Sequence, residues 1–179
     1  MTYSVLVAGL DVVFGPYLGP DDSVLAYLPL AHSFEFAFEN ACLYWGICMG
    51  YGSSKTLTDK SMRNCKGDMK EFRPTILIGV PAIWDTMRKG IEEKVNKGGR
   101  LKKKIFWGAM ALKSFLTAWR LPGRGILDGL VFRPVRNETG NRLRVCFNGA
   151  GPIGKDTRRF LSFALVPLLT GYGLAETTS

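Results

Sequence analysis

The chain has 179 residues, 46% of them hydrophobic and 22% charged, and a net charge of +9 at pH 7. This length and apolar content suit one globular domain with a sizeable core, and they exclude an extensively disordered chain. Much of the positive charge lies in residues 88–104, as on a solvated helix face, and no recognised DNA- or RNA-binding motif accompanies it, so nucleic acid is not an expected partner.

The N-terminal half of the chain is predicted to alternate between helices and strands. The elements expected there are an apolar helix at 3–14, a strand at 24–28, a helix at 33–49, a short polar helix at 60–71, a strand at 75–80 and a helix at 82–95. In helix 33–49, apolar residues recur at three- and four-residue spacing on one face, and Glu35 and Glu39 lie together on another. Ser33 is the expected N-cap of this helix, and Gly50 marks its expected end.

The C-terminal half continues this alternation. The elements expected there are a helix at 101–119, a short helix or strand at 126–133, a polar turn at 137–140, and strands at 143–147 and 164–169 with a short helix between them. Strands that alternate with helices indicate an α/β fold, here with a mixed, largely parallel sheet and flanking helices.

The cysteines and the single histidine bear on compartment and metal binding. The four cysteines form no C-x-x-C pair, and they are expected to be buried, reduced thiols in a reducing compartment; they are Cys42, Cys48, Cys65 and Cys146. His32 has no second histidine and no cysteine at ligand spacing, so a zinc site is not expected. The sequence contains no uninterrupted apolar stretch of the length that spans a bilayer.

Two glycine-rich turns near the C-terminus carry the strongest functional signal. Each follows an apolar, strand-like segment, the first at 149–151 and the second at 171–173. Glycine after a strand lets the backbone approach a ligand closely, because no Cβ stands in the way. The second turn also carries an aromatic ring, Tyr172, and a carboxylate follows it at Glu176. Together the two turns indicate a nucleotide site.

A dinucleotide-binding oxidoreductase is one alternative for this site. The segment from Gly149 to Gly154 matches G-x-G-x-x-G and follows a predicted strand. Against it, the next helix is expected to be short and to begin with Lys155 and Asp156 rather than with apolar residues that pack on a sheet. The acidic residue that should end the second strand and bind the ribose is also missing.

Three segments, taken in order, resemble the central motifs of the adenylate-forming acyl-CoA synthetases. They are residues 27–32, 148–153 and 171–177. Residues 21–52 and 79–84 resemble, more specifically, the long-chain fatty acid–CoA ligases of the eukaryotic type. The resemblance implies that residues 1–179 are part of the AMP-binding N-terminal domain. The phosphate loop that the family places upstream and the C-terminal domain with its catalytic lysine are then expected outside these residues.

This resemblance implies a reaction and a set of site residues. A long-chain fatty acid would be activated with ATP to an acyl-adenylate, and the acyl group would then pass to CoA. Glu176 would hold the Mg²⁺ that bridges the phosphates, since a hard cation suits a carboxylate oxygen. His32 would act as the catalytic residue by orienting the substrate carboxylate, and Tyr172 would lie against the adenine. The implied nucleotide-binding positions are Gly149, Ala150, Gly151, Gly171, Tyr172, Gly173 and Thr177.

One departure from the family pattern leaves a second alternative open. The family usually has threonine before the glutamate, and Ala175 stands there, so a hydroxyl that contacts phosphate is replaced by a methyl group. Thr177 or Thr178 could compensate. With no phosphate loop found in its sequence, the chain alone is expected to be inactive, and a non-catalytic remnant or binding module is the alternative.

The resemblance and the charge pattern also suggest where the protein works. The expected setting is intracellular, in the cytoplasm or on the cytoplasmic face of the endoplasmic reticulum, a lipid droplet or a peroxisome. Residues 88–119 combine lysines with aromatic side chains, and this pattern is compatible with peripheral contact with an anionic membrane. The alternative is a helix that packs on its own domain and keeps its lysines in water.

Overall fold

The computed structural model describes residues 11, 15, 18–59, 62–119, 122 and 124–171. The predicted helix at 3–14 falls almost entirely outside the described residues. The elements, in chain order, are β1 (Ser23–Ala26), α1 (Ser33–Trp45), β2 (Cys48–Tyr51), α2 (Asp68–Phe72), β3 (Ile76–Gly79), α3 (Pro81–Lys97), α4 (Arg100–Ala118), α5 (Arg124–Leu130), α6 (Arg133–Asn137), β4 (Val145–Asn148), α7 (Lys155–Ala164) and β5 (Leu168–Thr170). Among the described residues, no helix is both long and apolar enough to span a bilayer.

The described strands form one five-stranded sheet in the order β2-β1-β3-β4-β5, and every neighbouring pair is parallel. The three central strands are buried along their whole length, as expected for a parallel sheet that is covered on both faces. This arrangement confirms the predicted α/β class, its parallel sheet and the strands expected near 24–28, 75–80 and 143–147.

Helices cover both faces of the sheet. On one face, α1 places Phe38 and Cys42 against side chains from the central strands, including Ile76 and Ile78. On the other face, Leu77 belongs to a larger core to which α3, α4 and α7 contribute; their residues there include Trp84, Phe106 and Phe160. Successive strand residues therefore point to opposite layers.

The helix predicted at 33–49 ends earlier than its apolar spacing suggested. Gly46 adopts a left-handed conformation (φ 67°), and its N–H donates to the carbonyls of Cys42 and Leu43, which terminates α1. Residues 48–51 then pair with β1 as an edge strand, so Gly50 lies in a strand and does not end the helix. The prediction was wrong because this strand contains no β-branched residue that would distinguish it from a helix.

Several other predicted boundaries also change. The helix expected at 60–71 is reduced to α2, which begins at Asp68. Residues 126–133 belong mostly to a helix, α5, and α6 follows it. The apolar segment 164–169 is divided, because Ala164 ends α7 and only Leu168 and Leu169 belong to β5. An apolar run by itself cannot distinguish the buried end of a helix from a buried strand.

The structure corrects two further expectations. The helix after the first glycine-rich turn, α7, buries an apolar face despite its charged beginning; the buried residues are Thr157, Phe160, Leu161 and Ala164. Cys42 and Cys146 are buried free thiols, and burial raises the pKa of each to about 12, so both remain protonated. Cys48 and Cys65, in contrast, are free but exposed, because they lie in an edge strand and a loop.

Candidate functional site

The candidate site lies at the carboxyl edge of the sheet. From β1 the chain passes to β2 on one side, while β3, β4 and β5 follow on the other, so the strand order reverses between β1 and β3. Open parallel sheets bind ligands outside the carboxyl ends of the strands at such a point. This edge carries the segment after β1 with His32, the 149–151 turn after β4 and Gly171 after β5.

The turn at 149–151 is held by the residues on both sides of it. The Asn148 side-chain Nδ2 donates to the carbonyl of Gly151 (2.9 Å), and the Gly149 N–H donates to the carbonyl of Gly79 (3.0 Å). Ala150 adopts a left-handed conformation (φ 61°), which costs a residue with a Cβ roughly 1 kcal/mol. Non-glycine residues held in this region often occur at ligand sites, and Ala150 is exposed at the tip of the turn.

The two glycines of this turn differ in the space around them. A Cβ on Gly149 would lie 2.5 Å from the ring of Phe34, so this glycine is required for the start of α1 to pack over β4. A Cβ on Gly151 would meet only Pro81, at an ordinary contact distance of 3.5 Å. The sequence pattern predicts ligand approach at both glycines, whereas the described contacts leave space for a ligand only beside Gly151.

The second glycine-rich turn begins beside the first. The Gly171 N–H donates to the carbonyl of Asn148 (2.9 Å), which continues the pairing of β4 with β5. The other predicted site residues of this segment lie outside the described residues; they are Tyr172, Gly173, Glu176 and Thr177, together with Ala175. The structure therefore brings Gly149, Ala150, Gly151 and Gly171 together at one edge.

His32 reaches the same edge as the N-cap of α1. Its Nδ1 accepts a hydrogen bond from the Phe34 N–H (3.3 Å), and its backbone is extended as in other caps. The sequence pattern predicts this cap at Ser33, one residue too late. Because Nδ1 is the acceptor, the ring proton of the neutral imidazole lies on Nε2. The His32 side chain is exposed, and Phe34, two residues later, rests against Gly149.

Replacing His32 with alanine is expected to lower the free energy of unfolding by about 1 kcal/mol, because α1 loses its side-chain cap. His32→Asn should retain most of this stability, since asparagine also caps helices. Urea unfolding of the three proteins measures the effect. Equal losses in both variants would show that the cap contributes nothing and that the imidazole itself stabilises the fold.

A buried carboxyl group at this edge was missed by the sequence analysis. Glu35, which was expected on a polar face with Glu39, has 0% of its surface exposed. Burial, and next the charge of Glu39, raise its pKa to about 7, and the nearby backbone amides of Tyr27 and Leu28 oppose this shift. The available signal was its spacing, because Glu35 lies three residues before Phe38, which is buried in the same core.

Two acceptor groups at the edge have no hydrogen-bond partner among the described residues. They are the carboxyl oxygens of Glu35 and the side-chain oxygen, Oδ1, of Asn148. A buried acceptor without a donor is uncommon and is often completed by water or a ligand. Asn148 also holds the 149–151 turn through Nδ2, so this residue with its buried Oδ1 lies directly beside the candidate site.

Known proteins resemble this chain over nearly its whole length. A family model described as AMP-binding enzyme matches residues 1–179. The chain is 49% identical over 180 residues to palmitoyl-CoA ligase FUM16 of Gibberella moniliformis, an alignment that covers 99% of this chain and 27% of that protein. It is 48% identical over 171 residues to long-chain-fatty-acid–CoA ligase 2 of Schizosaccharomyces pombe, with 96% and 25% coverage. The chain thus spans about a quarter of the length of these curated relatives.

Solved structures share the fold. The adenylation domain of a keto acid-selecting NRPS module, bound to keto acyl adenylate, matches with a TM-score of 0.61 at 15% identity, over 99% of this chain and 26% of that chain. A long-chain-fatty-acid–CoA ligase (FadD1) from Archaeoglobus fulgidus matches with a TM-score of 0.54 at 15% identity, over 98% of this chain and 28% of that chain. At such identities the likeness establishes the fold alone.

Proposed function

Because the chain belongs to the AMP-binding enzyme family, we propose that it forms the central part of the adenylation domain of a long-chain fatty acid–CoA ligase. The observation that carries this proposal is the 46–49% identity to palmitoyl-CoA and long-chain fatty acid–CoA ligases over at least 92% of the chain. The family match includes the G-x-G-x-x-G segment, and it therefore favours adenylate formation over a dinucleotide-binding oxidoreductase. The phosphate loop and the C-terminal domain would be supplied by other segments of a longer protein.

In the proposed reaction, the carboxylate of the fatty acid attacks the α-phosphate of ATP, and pyrophosphate leaves. The acyl-adenylate then reacts with the thiol of CoA, and AMP leaves. Such chemistry depends on alignment and charge neutralisation more than on a strong base. His32 would orient the substrate carboxylate with the proton on Nε2. The open side of Gly151 would receive the nucleotide, and the Asn148 Oδ1 would accept a hydrogen bond from one of its amino or hydroxyl groups.

The resemblance extends the proposal to the segment after Gly171. Tyr172 would lie against the adenine, Gly173 would keep the turn tight and Thr177 would contact the nucleotide. Glu176 would hold Mg²⁺, which would neutralise phosphate charge when bound. These assignments are carried by the resemblance alone. Ala175 is the position at which this chain departs from the family, and it supports the competing hypothesis of a non-catalytic remnant or binding module.

The proposed setting is intracellular, in the cytoplasm or on the cytoplasmic face of the endoplasmic reticulum, a lipid droplet or a peroxisome. The four free cysteines support a reducing compartment, in which thiols persist without pairing. Peripheral contact with a membrane through residues 88–119 is part of this proposal, since long-chain fatty acids partition into membranes.

A chimera tests the proposed function. In the Schizosaccharomyces pombe ligase 2, the segment that matches this chain would be replaced by its residues, and formation of palmitoyl-CoA from ATP, CoA and palmitate would be measured. We expect kcat/KM within about tenfold of the parent enzyme, because the central adenylation residues are proposed to be functional. The isolated 179-residue chain should form no palmitoyl-CoA.

The parent ligase is the positive control, and thermal unfolding shows whether the chimera has folded. A chimera that folds with the stability of the parent and forms no acyl-adenylate would contradict the proposal and favour the non-catalytic remnant. Turnover by the isolated chain would instead contradict the need for further segments.

A further inference from the structure

Helix α4 has apolar residues on two sides, and among the described residues only one side packs in the core. Its inner side packs in the core through Phe106, Ala109 and Met110. Its outer side carries a second apolar stripe, in which each residue is 48–72% exposed; the stripe comprises Leu101, Ile105, Leu112, Phe115 and, directly after the helix, Trp119. These residues recur at intervals of four, seven, three and four positions, so they share one face.

The outer stripe is accompanied by positive charge. Four cationic residues lie in the first turns of α4 and are exposed; they are Arg100, Lys102, Lys103 and Lys104. The helix contains no acidic residue. In α3, by contrast, the positive charges of Lys94 and Lys97 are each balanced by an ion pair with a glutamate.

A second exposed apolar surface on the molecule provides a contrast. Helix α1 exposes more than half of Phe36, Leu43 and Tyr44. This helix contains Glu35 and Glu39 and no lysine or arginine. Both helices present apolar side chains to solvent, but only α4 joins them to a cluster of cations. Charge therefore distinguishes the surface that suits an anionic interface from one that suits a neutral or basic neighbour.

We propose that α4 lies on the surface of a bilayer that contains anionic phospholipids, with its outer stripe among the acyl chains and its first turns against the headgroup phosphates. A helix of 19 residues is roughly 28 Å long, enough to place the whole stripe in the interface plane. Each lysine or arginine near such a surface strengthens membrane binding by electrostatic attraction to the anionic lipids. Burial of the apolar stripe among the acyl chains strengthens it further by the hydrophobic effect. This inference deepens the membrane contact proposed for residues 88–119 by naming the helix face and the lipid. It rests on the proposed function in that a ligase at the bilayer meets fatty acid there.

The inner contacts of α4 fix the direction in which the stripe points. Lys113 is buried, pairs with Asp128 of α5 and donates to the carbonyl of Phe163 in α7 (2.7 Å). Its ammonium also lies 5.0 Å from the centre of the Phe132 ring. The helix is thus held from the inside at mid-length, and the opposite side remains exposed.

Vesicle flotation of the 179-residue chain tests the proposal. We expect binding to phosphatidylcholine vesicles that contain roughly a third phosphatidylserine, weaker binding at high salt, and little binding to phosphatidylcholine alone. Ile105→Gln with Leu112→Gln should lower the partition coefficient at least about tenfold by removing apolar area. Lys102→Gln, Lys103→Gln and Lys104→Gln together should lower it by a similar factor.

The matched control is Phe36→Gln with Leu43→Gln, which removes exposed apolar area from α1 and should leave binding unchanged. Unchanged circular dichroism and urea midpoints establish that the variants are folded. The proposal is overturned if wild type does not bind anionic vesicles, if binding ignores phosphatidylserine, or if the α1 and α4 variants lose binding equally. A concentration-dependent dimer that the Ile105 and Leu112 changes abolish, without lipid binding, would assign the stripe to a second copy.

The chimera separates this proposal from the proposed function. An active chimera whose flotation is unaffected by the three lysine changes would overturn the membrane surface, because another segment then covers α4, and it would leave the ligase proposal standing. The reverse result is an inactive, folded chimera together with α4-dependent lipid binding by the chain. It would contradict the ligase proposal and leave the membrane surface standing.

Discussion

Between about pH 4.5 and about pH 7 the chain is expected to lose about 3 kcal/mol of unfolding free energy through Glu35 alone, and Glu35→Gln should remove this loss. The pKa of Glu35 is raised from 4.5 to about 7 in the fold. In the unfolded chain its proton leaves at lower pH. Between the two pKa values the unfolded state therefore binds fewer protons, and stability falls as pH rises. The stabilisation is fully present below the unfolded pKa.

The size of this effect follows from where the carboxyl group lies. Glu35 is completely buried in the first turn of α1, and the backbone amides of Tyr27 and Leu28 near its oxygens only partly offset this burial. Its charged form is opposed first by desolvation and then by the charge of Glu39. Burial, and next a charge on Glu35, in turn raise the pKa values of the Tyr27 hydroxyl and the Cys42 thiol. A protonated carboxyl group avoids most of this cost, which is why the fold favours the neutral form.

Urea unfolding at about pH 5 and about pH 8 measures the difference between wild type and Glu35→Gln, which isolates this group from other titrating residues. Glu39→Gln is the matched control. It should reduce the pH dependence only in part, because it removes the second cause and leaves the burial. Identical pH dependence in wild type and Glu35→Gln would show that the Glu35 carboxyl group has an ordinary pKa, and the buried position would then be wrong.

Asp128→Ala is expected to destabilise the chain by about 3 kcal/mol or more, because it leaves the Lys113 ammonium buried without its carboxylate. The Lys113 side chain is 8% exposed. The ammonium would keep its contacts with the carbonyl of Phe163 and the ring of Phe132, neither of which carries a full negative charge. The same carboxylate also pairs with Arg136 (3.0 Å), so one substitution loosens α4, α5 and α6 together.

Lys113→Met should cost less than Asp128→Ala, since Asp128 is 22% exposed and retains Arg136. The double variant should recover most of the loss, as expected when a buried pair is replaced by apolar groups. Urea unfolding of the four proteins gives the coupling energy. Glu93→Ala, which breaks an exposed pair with Lys97, is the comparison and should change stability little. Additive effects of Lys113 and Asp128 would show that the pair does not form.

Much of the architecture could be predicted from the sequence because it depends on short, continuous patterns. The β-branched run near Ile76 is buried on both faces in any parallel sheet, and Pro81 suits the first turn of a helix. The strand expected at 143–147 is found at Val145–Asn148, and the first glycine-rich turn follows it as predicted, because these features also depend on short, continuous patterns. The ordered motifs carried the family resemblance, which the comparisons confirm.

What the sequence by itself determined is therefore the fold class, the family and most central elements, since these are encoded in residue spacing and local backbone preference. Only the tertiary structure decided which side of each helix would be covered. Helical spacing shows that α4 has apolar residues, but it cannot show that one set packs in the core and another faces solvent. Likewise, Glu35 is an ordinary carboxylate in the sequence, and its burial results from the packing of α1 over strands distant along the chain. Residue spacing determines which side chains share a helix face, whereas contacts between residues distant along the chain determine what packs against that face.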